Sequence, residues 1–77
     1  MENSELLEIV VKRWNEAVLS NSIPAWHSLS SMASLQAEMM VRENPNNIMA
    51  YAFHGIGLAA FNQYIKLQKV NEDANIA

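Results

Sequence analysis

Two histidines, His27 and His54, eight carboxylates and a scatter of serines are the side chains here that can do chemistry, and cysteine is absent. The histidines stand in different predicted helices with no H-x-x-x-H or E-x-x-H pattern beside them, so nothing in the spacing builds a metal site. A nucleophilic serine needs a histidine within reach and a carboxylate to orient it. His27 and Ser28 are consecutive, and consecutive side chains of a helix diverge by about 100°, which points the pair apart. Gly55-Ile56-Gly57 lies inside an apolar helical run rather than between a strand and a helix, so it is not a phosphate loop. The residues therefore argue against an enzyme and call for no cofactor. What the histidines offer is a change of charge between about pH 5 and 8. Each sits in a segment almost free of other charges. His27 and His54 are accordingly read as a pH switch: packed against another subunit, either would bring positive charge on acidification into a place with little to compensate it.

The elements that must position these residues are helices. Two glycines and two prolines in 77 residues are too few turn formers for an all-β chain. Asn3 or Ser4 can cap a first helix running to about Ser20, with Glu5 and Glu8 where the helix dipole favours anions. Leu6, Leu7, Val10, Val11, Trp14 and Val18 recur at three- and four-residue steps, and Glu8, Lys12 and Glu16 form an i,i+4 ladder on the outer side. Ser20-Asn21-Ser22 reads as a turn, and Pro24 suits the first turn of a second helix that ends near Glu43. That helix carries a stripe of Trp26, Leu29, Ala33 and Met40, widened by Met32 and Met39, while Ser28, Ser31, Ser34 and Glu38 form another face on which small side chains allow close backbone approach. Asn44-Pro45-Asn46-Asn47 stops it. The third helix is expected from residue 47 to about Asn71, with Met49, Phe53, Ile56, Ala60, Tyr64 and Leu67 on one side, a small-residue groove of Ala52, Gly55 and Ala59 on another, and residues 72–77 as a frayed tail. Two glycines inside a helix cost about 1 kcal/mol each relative to alanine, so either a kink or a compensating contact is expected there.

Composition says what surrounds such a bundle. Charged residues make up 17% of the chain and apolar ones 51%, with a net charge of -3. Only five basic residues are present, too few to build the basic face that nucleic-acid binding requires. The thirteen charges gather between Glu2 and Arg13 and between Lys66 and Asp73, leaving only Glu16, Glu38, Arg42 and Glu43 in between. A solitary protein needs a charged exterior, so part of this middle is read as interface. Asn44 to Ile65 has no formal charge, yet its strictly apolar part, Ile48 to Ala60, is broken by His54, Gly55 and Gly57 and is shorter than the roughly 20 residues that span a bilayer. No permanent membrane span is expected. Glu2 and Glu5 stand where a signal peptide would be positive, which points to a cytoplasmic protein. A single core of this size supplies only about 3–5 kcal/mol, and without disulfides the available staple is another copy of the chain.

Two stretches resemble the R-body ribbon proteins of the RebB type. Asn15-Glu16-Ala17-Val18-Leu19-Ser20-Asn21-Ser22-Ile23-Pro24-Ala25 is similar to the family segment in which Asn, a Val-Leu pair and a short polar turn precede Pro-Ala, and Gly57-Leu58-Ala59-Ala60-Phe61-Asn62 is similar to its Gly-Leu-Ala-x-x-Asn stretch. The two lie about a helix further apart here than in that family. The resemblance implies a small cytoplasmic helical protein that polymerises into a coiled ribbon and extends at low pH. The expectation is a single all-α domain, 1–77, a helical hairpin or three-helix bundle completed by self-association through Ala52, Gly55, Ala59, Trp26 and Met40. Its partners are its own copies, a related sister chain or a host protein. The competing expectation is a small dimeric binding module that docks on a host protein.

Overall fold

The computed structural model describes the backbone of residues 3–76 and the side chains of residues 4–72. Three helices, α1 (Asn3–Ser20), α2 (Ile23–Glu43) and α3 (Ile48–Ile76), account for the chain, with no strand among the described residues. The all-α expectation therefore holds.

α1 closes on Asn21, whose φ of 44° is left-handed. Asparagine ranks behind only glycine in tolerating that conformation. Its N–H donates to the Ala17 carbonyl at 2.7 Å, and its Oδ1 accepts from the Trp26 Nε1–H at 3.1 Å, which ties the turn to a buried ring. Ser22 then caps α2, its Oγ accepting from the Ala25 N–H at 3.3 Å, with Pro24 in the first turn. The second turn is made by asparagines. The Asn44 N–H reaches the Met40 carbonyl at 2.9 Å, the Asn44 side chain accepts from the Asn46 N–H, and the Asn47 side chain accepts from the Met49 N–H, each at 3.0 Å. The cap expected at Asn3 or Ser4 falls at the edge of the described residues, where both are already helical.

α2 and α3 form an antiparallel hairpin. Ser34 faces Gly57 and His27 faces Tyr64, so numbers rise along one helix as they fall along the other. Its seam is Trp26, Ser30, Ala33, Ala37 and Met40 against Ala50, Phe53, Gly57, Ala60, Tyr64 and Leu67. Alternating steps of three and four place such residues on one stripe of each helix, as in coiled-coil packing. Small residues in the middle of the seam bring the two helices close. A Cβ at Gly57 would lie 2.6 Å from Ser34 Oγ, so this glycine, rather than Gly55, marks the close approach. α3 is one unbroken helix through both glycines and through the segment 72–76 expected to fray; Ala77 lies outside the described residues.

α1 packs mainly across α2, through Val10, Ala17 and the half-buried Leu6, Leu7 and Trp14. Trp14 meets Trp26 edge to face, centroids 5.0 Å apart and planes at 81°, a geometry aromatic quadrupoles favour. Val11 and Val18, expected on this inner stripe, are exposed, because the arc facing α2 is already filled and each lies roughly 100° round the helix from it. The Glu8, Lys12, Glu16 ladder forms no ion pair; among the described residues the one that does form is Arg42–Glu38, at 2.6 Å on the exposed side of α2. The molecule measures 48 × 21 × 13 Å. Its length is set by α3, which at 1.5 Å per residue runs about 43 Å and overhangs the α1–α2 turn.

Candidate interaction surface

The side chains read as an assembly surface divide into two groups. Trp26 and Met40 are 3% and 4% exposed and belong to the protomer's own core. Their position corrects the expectation that they meet a neighbour: the hairpin seam and α1 consume both, leaving no side-chain surface for another copy. Ala52, Gly55 and Ala59 are exposed and lie together. They form the floor of a groove of about 440 Å³ between α1 and α3, lined further by Val11 and Trp14 of α1 and by Tyr51 and Ile56 of α3. The sequence marked the floor through its small residues but not the walls. Val11 was assigned to the inner stripe, and Tyr51 gives no periodic signal.

A second apolar surface lies on the opposite face of the hairpin, away from α1. Leu58, Phe61 and Ile65 of α3 are exposed along one line, and Val41 of α2 lies further along the hairpin with Tyr51 and His54. Their steps of three and four residues are a helix-face signal next to the core stripe, and reading α3 as apolar on more than one side would have found them. Neither surface carries a charge from α3, since the run from Asn44 to Ile65 has none. Among the described residues thirteen large apolar side chains are exposed, with Leu19 at 87% and Ile48 at 82%.

Both histidines stand on the second surface, a grouping their sequence positions did not reveal. His27 packs its ring against Tyr64, centroids 5.0 Å apart, and Tyr64 in turn lies 6.0 Å from Phe61. His54 lines a hollow of about 300 Å³ with Ser34, Val41, Tyr51 and the Glu38–Arg42 pair. Both rings are exposed within the protomer.

Among the described residues no three His, Asp or Glu side chains come together as metal ligands, and every buried side-chain polar atom has a hydrogen-bond partner. No described helix is long and apolar enough to cross a membrane. Comparison with protein-family models, with curated proteins and with solved structures finds no match for this chain.

Proposed function

We propose that this chain is a cytoplasmic, non-enzymatic structural protein whose helical protomer is completed by copies of itself. The observation that carries the proposal is the pair of apolar surfaces on opposite sides of one thin hairpin, neither with a charge from α3: the α1–α3 groove and the Leu58–Phe61–Ile65 face. Covering them stabilises association by about 25 cal/mol per Å² of apolar surface removed from water. One self-complementary surface closes into a dimer. Two different surfaces on opposite sides link each copy to two neighbours, which produces a ring or an open filament. The coiled ribbon implied by the resemblance of Asn15–Ala25 and Gly57–Asn62 to R-body proteins is one such filament, and the two histidines on one of its contact faces supply its acid sensitivity.

Sedimentation and size-exclusion at micromolar concentration test the proposal. A polymer pellets or elutes in the void volume. A discrete dimer or tetramer at every concentration would instead favour a binding module that keeps one apolar surface for a host protein, a reading supported by the apolar lining of the α1–α3 groove. A chain that stays monomeric rules out self-association.

A further inference from the structure

The protomer explains one of its two helix glycines and leaves the other unexplained. A side chain at Gly57 would collide with Ser34, whereas a Cβ at Gly55 would meet nothing within 4 Å. Gly55 is thus a residue that costs about 1 kcal/mol of helix propensity relative to alanine without any return inside the protomer. It lies at the centre of the groove floor, between Ala52 and Ala59.

Resting on the reading of self-association, we propose that the groove receives the α3 helix of a second copy, antiparallel, about a two-fold axis close to Gly55 and Ala59. Charge selects both the occupant and its direction. The groove floor offers no ionic partner, so its occupant must be a helix uncharged over several turns, and α3 is uncharged from its start to Ile65. Carboxylates outnumber cations at the end of the protomer where α3 begins. Glu5 at the start of α1 and Glu43 at the end of α2 stand level with the beginning of α3, while Lys66 and Lys69 stand near its other end, in no ion pair among the described residues and with Glu72 a turn beyond. An antiparallel pair centred between Gly55 and Ala59 sets Lys66 of each copy level with Ile48 of the other, beside those glutamates. A parallel pair would stack Lys66 on Lys66 and Lys69 on Lys69.

The chain has no cysteine, so I48C and V70C each carry a single thiol, at exposed positions that take no part in the charge pairing. Nitroxide labels on I48C alone are expected about 27 Å apart or more, the rise of eighteen helical residues, and labels on mixed I48C and V70C chains much closer. Filling the groove with G55L should abolish the pairing while circular dichroism shows unchanged helicity. K66E/K69E should raise the dissociation constant about tenfold at low salt, an effect that 1 M salt removes. Short 48–48 distances, or a G55L chain that associates like the parent, would overturn the antiparallel groove while leaving self-association standing. A parent chain that is monomeric by sizing would overturn both.

Discussion

At the scale of single residues the two glycines make opposite predictions. G57A forces a methyl group against Ser34 Oγ and the Ser34 backbone nitrogen, 2.6 and 3.2 Å from the added carbon, and should cost about 1–3 kcal/mol in denaturant unfolding. G55A enters open space in the same helix and should stabilise the dilute protomer by about 0.4–1 kcal/mol. In the proposed assembly the histidines are the groups assigned to an acid response. His27 is faced by Tyr64, and His54 by Tyr51, Glu38 and Arg42, the last two already engaged with each other. Burial disfavours the charged form of an imidazole. Light scattering from pH 7.5 to 5 should show the parent changing size or shape and H27Q or H54Q changing less; an unresponsive parent would remove the switch.

At the scale of elements, the hairpin and α1 are unequal. The α2–α3 seam buries Phe53, Ala60, Ala33 and Met40 in a continuous line, while α1 fully buries only Val10 and Ala17 and leaves Val18 and Leu19 outside. Regions with fewer buried apolar contacts open at lower free energy. Amide exchange of α1 should accordingly be faster than that of the α2–α3 seam, and equal protection would show a single cooperative unit. The junction between α1 and α2 depends on one serine cap and one asparagine. S22A should cost about 1 kcal/mol. Trp26 is buried within the protomer, so its emission should be blue-shifted before any association. Only the half-buried Trp14, on the groove wall, is placed to report a neighbour's arrival.

At the scale of the whole molecule, a body 48 Å long and 13 Å thick has little interior and much surface. Its two long sides are both apolar, so its stability should depend on concentration. A ligand that binds only the folded state raises the melting temperature by mass action, and in the proposed assembly that ligand is another copy. The melting temperature of the parent should rise over a hundredfold increase in concentration, and that of G55L should rise less. A concentration-independent transition would mean that the protomer stands alone.

The number of helices, their order and their turns were legible in local chemistry. Asn21-Ser22, Pro24 and the Asn44–Asn47 cluster act through bonds to their near neighbours, which are formed whatever the rest of the chain does. The stripe from Met49 to Leu67 was legible for the same reason, since a period of 3.6 residues is a property of one helix. Which apolar side chain meets which helix was not legible, because α3 is apolar on most of its circumference and periodicity cannot choose among its faces. Packing chose: Ser34 against Gly57 set the rotation of α3, which buried Trp26 and Met40 in the seam and left Gly55 in the open. The same rotation brought His27 and His54, remote in sequence, to one exposed face. Such pairings depend on how side chains of different size interlock between helices, and no single helix contains that information.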